Sequence, residues 1–519
     1  MFAMSQLVTR LARTNPDMIA TSDGDREQTW LQFQDKVARF AGGLRKLGVG
    51  DDTTVAILAL NSDRYLEFMF ATPWAGGVFQ PVNTRLAPPE VVYWVSDSAA
   101  KVLLVDTTFA PMVAQIRDQL PGVEHYVFVD EGEVPDYCMS YHDLVSAEPV
   151  EDAGRSGDDV AGLFYTGGTT GRSKGVMLTH NNLIINSMQG IPLLNALPGD
   201  RILHVAPMFH IADACVCMSS AIIGGSNYFQ PGFDPVATME GVQQHQIERM
   251  ILVPTMINMF VNHPSIGDYD LSCLRTVLYG ASPMPEAVIK KALEVLPKAE
   301  FYQAYGQTEA APIITVLAWE RHTFDGPLAG KMKAAGQAVP GIDLVIMDDD
   351  GNVLPPGEVG EVCMRGPNIM KGYRNMAEQT AKTIVDGWLH TGDGGYIDEE
   401  GFLFIVDRVK DMIISGGENV YSAEVENAIY QHPAVNQCAV IGIPHEKWGE
   451  QVHAIVVPHE GQSVSEDELI EHCKSLIAGF KCPRSASFQA EPLPLSGAGK
   501  ILKTELRKPY WPEGERAVN

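Results

Sequence analysis

The segment Tyr165-Thr166-Gly167-Gly168-Thr169-Thr170-Gly171-Arg172-Ser173-Lys174-Gly175 combines glycines, threonine hydroxyls and a lysine. Glycine lets backbone N–H groups approach phosphate oxygens closely. The hydroxyls add donors and Lys174 adds a charge, so the segment has the chemistry of a phosphate cradle. It is not a Walker A loop, because Gly171 precedes Arg172 rather than Lys-Ser/Thr. Downstream, Phe301-Tyr302-Gln303-Ala304 leads into Tyr305-Gly306-Gln307-Thr308-Glu309. There Tyr305 could stack on a base and Glu309 could hold Mg²⁺ beside phosphates. Trp388-Leu389-His390-Thr391-Gly392-Asp393 sets a carboxylate after a tight turn, suited to accept from both hydroxyls of a ribose, and Arg408 after the next strand could reach the same sugar. Lys500 sits in the glycine-rich turn Ser496-Gly497-Ala498-Gly499-Lys500-Ile501, whose exposed tip could enter a neighbouring domain's cleft. Taken singly, each segment also fits a plainer role: a surface loop, a packed tyrosine, a turn aspartate, a solvated lysine.

These residues need elements to hold them. Phe33, Val37, Phe40, Ala41, Leu44 and Leu47 recur at helical spacing, and Gly48 and Gly50 stop the helix. Segment 54–60 reads as a buried strand, 67–75 as a helix and 101–106 as a strand. Further strands are expected at 160–165, 201–205 and 250–253. This alternation predicts an α/β fold: a large N-terminal domain of mostly parallel sheets flanked by helices. From about 344 to 407, short strands separated by Gly and Asp predict a small β-rich subdomain. Beyond the polar segment Asp407-Arg408-Val409-Lys410-Asp411, strands and helices alternate in a pattern that fits a small α+β C-terminal domain. The boundaries expected are 1–408, a linker at 409–411, and 412–519.

The chain has 519 residues and a net charge of −27. That acidity excludes general electrostatic binding of nucleic acid or anionic membranes. Any polyanionic ligand must be held by local amides and a few placed cations. Eight cysteines form no CxxC pair and no zinc spacing, which fits free thiols in a reducing compartment. Cys215 and Cys217, two apart, read as packing on one strand face. No signal peptide is visible before Thr14, and the apolar stretch 211–225 contains Asp213 and is too short to span a bilayer. The expected location is cytoplasmic, with no integral membrane segment.

In order and spacing, these motifs resemble the adenylate-forming superfamily of acyl- and aryl-CoA synthetases, adenylation domains and firefly luciferase. The resemblance runs from about residue 5 to 508. It is carried by 166–175, Pro207-Met208-Phe209-His210, Tyr305–Glu309, Gly357–Glu361, Trp388–Asp393, 407–426 and Gly499-Lys500. It implies a two-step ligase using ATP, Mg²⁺ and coenzyme A. A carboxylate attacks the α-phosphorus of ATP to give acyl-AMP and pyrophosphate, and the CoA thiol then displaces AMP. It implies that Thr166, Gly167, Gly168, Thr169, Thr170, Gly171 and Lys174 meet the phosphates, with Glu309 and Thr166 at the metal. Gly280, Ala281, Ser282, Gln303, Ala304, Tyr305, Gly306, Gln307 and Thr308 would line the nucleotide, and Asp393 and Arg408 the ribose. Lys500 would bridge carboxylate and α-phosphate. Phe209 and His210 resemble an aromatic gate, although a core histidine is the plainer reading of His210. The acyl pocket would be completed by Ala212, Met256, Tyr279, Gly280, Ala281 and Pro312. In this family the small C-terminal domain is mobile, and Lys410 aligns with its hinge. Its swing would bring Ser415, Gly416 and Gly417 to the site, with Trp448 beside the pantetheine arm and Arg85, Phe480 and Arg484 near the CoA nucleotide. A homodimer is common among members.

Several positions depart from the common pattern. Gly168 removes a hydroxyl and Ser173 replaces a proline in the phosphate loop. Ser422 replaces a proline after the hinge strand, Cys482 stands where some relatives are basic, and Leu495 and Ala498 differ just before Lys500. Two other readings stay open: an enzyme that loads a carrier protein in trans, and a non-catalytic nucleotide binder. The sequence does not choose among a medium-chain fatty acid, an aryl acid and a sterol side-chain acid.

Overall fold

The computed structural model describes residues 2–166, 173–408, 412–415, 418–445, 448–497 and 499–511; for 407, 408, 414, 418 and 419 it describes the backbone alone. Among the described residues the strands form four sheets.

The first sheet has Val160–Thr166, Val78–Pro81, Thr54–Leu58, Val102–Val105 and His125–Phe128 as its parallel body. Thr54–Leu58 and Val102–Val105 are buried at every position, as expected of parallel strands covered on both faces. Helix Trp30–Lys46 packs against helix Asp63–Ala75, whose every residue is buried. The first of these starts at a capping box, in which Thr29 accepts from Gln32 N–H and the Gln32 side chain accepts from Thr29 N–H.

The second sheet runs in the order Gln337–Ala338, Ile313–Leu317, Glu300–Gly306, Thr276–Gly280, Arg249–Leu252, Arg201–His204, Ser226–Phe229, Ile19–Asp23, Arg26–Thr29. The strands from 201 to 306 are parallel, so their C-terminal ends open at one edge, where α/β sheets bind ligands. A third, antiparallel sheet is built from Asp343–Met347, Gly360–Arg365, Trp388–Ile397, Ile384–Val385 and Leu403–Arg408. The fourth contains Ile413–Ser415, Glu418–Val420, Val435–His445, Gly449–Pro458 and Ser485–Phe488, flanked by helices Ser422–Ile429 and Glu466–Lys474. Large parallel-containing sheets, a small β-rich unit and a C-terminal α+β unit are the architecture expected from the sequence.

Two local expectations are corrected. Cys215 and Cys217 lie on helix Ile211–Ile223, bounded by His210 and by Gly224 at φ 71°. A spacing of two therefore sends them to different sides, Cys215 into one apolar cluster and Cys217 into another. Asp393 stands inside strand Trp388–Ile397 rather than after a turn. All eight cysteines are free thiols. Among the described residues, no helix is long and apolar enough to cross a membrane.

Candidate nucleotide and acyl site

A cleft of about 1560 Å³ opens at the C-terminal edge of the second sheet, between it, the β-rich unit and the C-terminal unit. Thr166 and Lys174 line it and face each other as the last pair of the antiparallel strands Val160–Thr166 and Lys174–Thr179. The base of this hairpin is anchored. Tyr165 stacks on Trp94 at 4.9 Å and donates to Asp97 Oδ2 at 2.7 Å, while Tyr93 donates to Ser173 O at 2.9 Å. The loop residues Gly167, Gly168, Thr169, Thr170 and Gly171 lie outside the described residues.

Lys174 Nζ sits 4.7 Å from the ring centre of Tyr373, and Tyr373 Oη donates to Glu309 Oε1 at 2.7 Å. Burial first, and then the charge of Glu309, raise the Tyr373 phenol far above its ordinary value, so it stays a donor. Tyr373 thus ties the Thr166–Lys174 hairpin to Glu309. No motif in the sequence marks it, because its partner lies 64 residues away.

The adjoining wall is strand Glu300–Gly306, whose Gln303, Ala304, Tyr305 and Gly306 line the cleft with Gln307 and Thr308 beyond. A side chain at Gly306 would meet Pro312 O at 1.8 Å, so only glycine fits. Tyr305 Oη donates to Asp393 Oδ2 at 2.8 Å. Asp393 pairs in register with Arg408, whose side chain lies outside the described residues. Glu361 braces this segment, accepting from Gly392 N at 2.8 Å with one oxygen while the other stands 2.7 Å from His390 Nδ1. The sequence supplied Glu361 and His390 as motif members without this bracing role. Tyr279 and His322, 2.8 Å apart, back Gln303 from behind; His322 carried no sequence signal.

On the acyl side, His210 caps helix Ile211–Ile223, its Nδ1 accepting from Ala212 N at 3.3 Å. Burial, and then the nearby charge of Lys500, push His210 down to about 3, which leaves a neutral ring. Phe209, Ala212, Tyr279, Gly280, Ala281, Ser282 and Pro312 also line the cleft. Met256 does not. It packs into the core among Leu252, Ile257 and Phe260, while its helix neighbours Thr255 and Asn258 face the cleft.

Lys500 enters the cleft from the C-terminal unit on a turn closed by the bridge Leu495–Ile501. Ser496 Oγ accepts from Lys500 N at 3.1 Å. The turn is docked from the other side: Arg85 Nη1 donates to Ser496 O at 2.7 Å, and Thr255 Oγ1 to Gly499 O at 3.3 Å. Gly499, at φ 78°, presses so close that a Cβ would stand 2.9 Å from Val253.

The residues expected near CoA are not gathered here. Arg85 is engaged by the lysine turn. Arg484 lies over the Trp448 ring at 4.5 Å, away from the cleft lining, and Phe480 is exposed. Ser415 is buried in its strand. Gly416, Gly417 and Lys410 lie outside the described residues.

The cleft thus brings together the end of the Thr166–Lys174 hairpin, a tyrosine–carboxylate wall and a lysine delivered by a separate unit. The profile of the AMP-binding enzyme family matches residues 8–374, and that of the AMP-binding enzyme C-terminal domain matches 424–500. The chain belongs to the AMP-binding enzyme family. It is similar to a feruloyl-CoA synthase of Amycolatopsis sp, at 40% identity over 96% of this chain and 98% of the relative. It is also similar to a fatty acid–[acyl-carrier-protein] ligase of Streptomyces coeruleorubidus, at 35% identity over 98% of this chain and 96% of the relative. Among solved structures, an anthranilate CoA ligase in complex with anthranoyl-AMP superposes with a TM-score of 0.90 at 27% identity, covering 98% of this chain and 97% of that one.

Proposed function

We propose that this enzyme is an AMP-forming carboxylic acid–CoA ligase. ATP and a carboxylate give an acyl-adenylate and pyrophosphate, and CoA then takes the acyl group as a thioester. The single observation that carries this reading is Lys500. It projects into a cleft that also holds Thr166, Lys174, Glu309 and Asp393, and its charge is felt at His210 on the acyl side. A cation there sits between the phosphate wall and the acyl pocket, where two anions must meet.

In this reading, Thr166 and Lys174 meet the phosphates with Gly167, Gly168, Thr169, Thr170 and Gly171. Gln303 and Tyr305 meet adenine, and Asp393 and Arg408 hold the ribose. The hydroxyl of Thr166 and the carboxylate of Glu309 are hard oxygen donors on the lining of one cleft, which suits Mg²⁺. Such an ion would neutralise phosphate charge. Neutral His210 packs beside the acyl carbonyl without adding a second positive charge.

The docked lysine turn fits the adenylating arrangement. The scattering of Ser415, Trp448, Phe480 and Arg484 away from the cleft supports a second arrangement for thioester formation, with the chain turning at 409–411 about Lys410 between units 1–408 and 412–519. Free thiols throughout are compatible with a cytoplasmic enzyme.

A second reading is favoured by one observation, the relative named for a carrier-protein substrate. Free CoA as acceptor separates the two. A non-catalytic binder would not need Lys500, Glu309 and Asp393 together. The deciding experiment is a screen of carboxylic acids with ATP, Mg²⁺ and CoA, reading pyrophosphate, AMP and thioester. The reading expects acid-dependent pyrophosphate and a CoA thioester. Pyrophosphate without thioester would move the acceptor to a carrier protein, and no acid-dependent pyrophosphate would remove the ligase altogether.

A further inference from the structure

The acyl side of the cleft continues as a channel between the second sheet and helix Ile211–Ile223. Its helical wall is Ala212, Val216, Ser219 and Ile223, a spacing that keeps one helix face along the channel. From Ala212 to Ile223 that face runs about 16 Å. Its sheet wall includes Arg249, Ile251 and Val253. These alternate positions share one face of the strand, so Arg249 lies about 13 Å below Val253. Val253 is the residue against which Gly499 presses, so it marks the lysine end. Arg249 marks the far end, beside Leu194.

Arg249 is 9% exposed and lines this channel. Its Nη1 donates to Leu194 O and Asn195 O, both at 2.9 Å, and approaches Asp200 Oδ2 at 3.6 Å. Asp200 is held more tightly by Arg275, at 2.5 Å. Both protons on Nη1 are used, whereas Nε–H and the Nη2 protons make no hydrogen bond to any of the described residues. Donors without partners among the described residues, at the far end of this channel, are open to a ligand or water that can accept from them. In such pockets a few placed polar groups decide orientation and selectivity.

We propose that Arg249 is a specificity-determining residue, selecting acids whose tail, opposite the carboxylate, bears an oxygen acceptor. This rests on the ligase reading above. The shared chemistry is an extended acid with a hydroxyl, methoxy or carbonyl oxygen at its far end, on either an aromatic ring or an alkyl chain. The carboxylate meets Lys500 while the tail oxygen accepts from the Arg249 guanidinium. An acid that ends in bare C–H leaves those donors unpaired, and the site discriminates against it.

The test measures kcat/KM for pyrophosphate release with two acid pairs: cinnamic against para-hydroxycinnamic, and octanoic against omega-hydroxyoctanoic. The pairs distinguish an aryl from an alkyl tail. In the wild-type enzyme the oxygenated member of at least one pair is preferred by about tenfold or more, equivalent to about 1.4 kcal/mol. In Arg249→Met that ratio falls toward one, chiefly through loss of the oxygenated acid, and in Arg249→Lys it falls less. Each ratio is internal to one variant, so a partly unfolded preparation does not mimic the result, and Arg249→Lys reports if Arg249→Met does not fold. A wild-type preference for the bare acid in both pairs, or ratios unmoved by either substitution, overturns the proposal while leaving the ligase reading intact. Pyrophosphate release with none of these acids or any other would instead overturn the ligase reading.

Discussion

His322 Nε2 stands 2.8 Å from the hydroxyl of Tyr279, while its Nδ1 lies 3.1 Å from Ala318 O. A carbonyl only accepts, so Nδ1 carries the proton of the neutral ring and Nε2 must accept from Tyr279. Burial holds His322 down to about 4, so the ring is neutral near neutral pH. Gln303 Oε1 stands 3.2 Å from the same hydroxyl, whose one proton is already given to His322, so flipping the amide to put Nε2 there relieves a contact between two acceptors. The amide suits that oxygen only by donating N–H, which turns its own carbonyl toward the cleft. If Gln303 meets the base, that oxygen accepts from the amino group of adenine and repels the carbonyl of hypoxanthine. His322→Leu frees the Tyr279 proton and lets the amide turn. The preference for ATP over ITP then falls by about tenfold, read as the ratio of pyrophosphate-release rates. An unchanged ratio would refute the relay.

Lys500→Ala removes the cation that joins the two halves of the cleft. Adenylate formation drops by about a hundredfold or more, whereas transfer from supplied acyl-AMP to CoA continues. Equal loss of both steps would contradict the assignment.

Arg85 donates to Ser496 O on the turn that carries Lys500. Arg85→Ala loosens that dock and slows adenylation by about fivefold to tenfold, the worth of about one ordinary hydrogen bond. Separately assayed thioester formation holds its rate. A larger loss in the second step would return Arg85 to CoA recognition.

His204 and Asp213 form a fully buried pair at 2.8 Å, and His204 Nε2 lies 3.0 Å from Asn227 Oδ1. Asn227 Nδ2 donates to Ala20 O, which fixes its oxygen toward the ring. Both ring nitrogens face acceptors, so His204 is an imidazolium. Burial alone would lower it, but the charge of Asp213 outweighs that and raises it well above its ordinary value. The stability this supplies is complete below about pH 6.5, the unfolded value, and drains only as pH rises through the raised folded value. Asp213→Ala leaves the cation uncompensated and costs about 3–5 kcal/mol in denaturant unfolding. A loss under about 1 kcal/mol would mean the pair is not charged.

Glu67 accepts from Gln28 Nε2 at 2.7 Å and from the Tyr141 hydroxyl. Burial, and then the charge of Asp63, raise it to about 7. A raised folded value means stability is full below the ordinary carboxylate value of 4.5 and is lost as pH climbs through about 7. Glu67→Gln removes that loss. Its stability curve is flatter between those pH values, and at pH 8 it gains on the order of 3 kcal/mol over wild type. Parallel curves for the two proteins would show that Glu67 does not titrate there.

Much of the cleft was legible because its parts are local. Thr166 and Lys174 close one hairpin, and Gln303 to Glu309 is one continuous run. Lys500 sits on a turn whose glycines announce it. What escaped notice depends on distant pairing. Tyr373 matters only because the fold sets it against Glu309, and His322 only because it backs Tyr279. Cys215 and Cys217 misled because a spacing of two carries no sign of whether strand or helix contains it; the cap at His210 and the stop at Gly224 decide. Met256 misled because proximity in sequence to Thr255 does not say which way a helical side chain points.

The seam between the first strands and the second sheet also governs how the chain is made. Thr21 pairs with Asn227, and Asn227 ties back to Ala20 O. At ordinary elongation rates, the ribosome delivers that partner about ten to forty seconds after the opening segment emerges. Until then Ile19–Asp23 is paired along one edge with Arg26–Thr29 and unpaired along the other. That edge therefore stays exposed during synthesis until Ser226–Phe229 arrives to cover it.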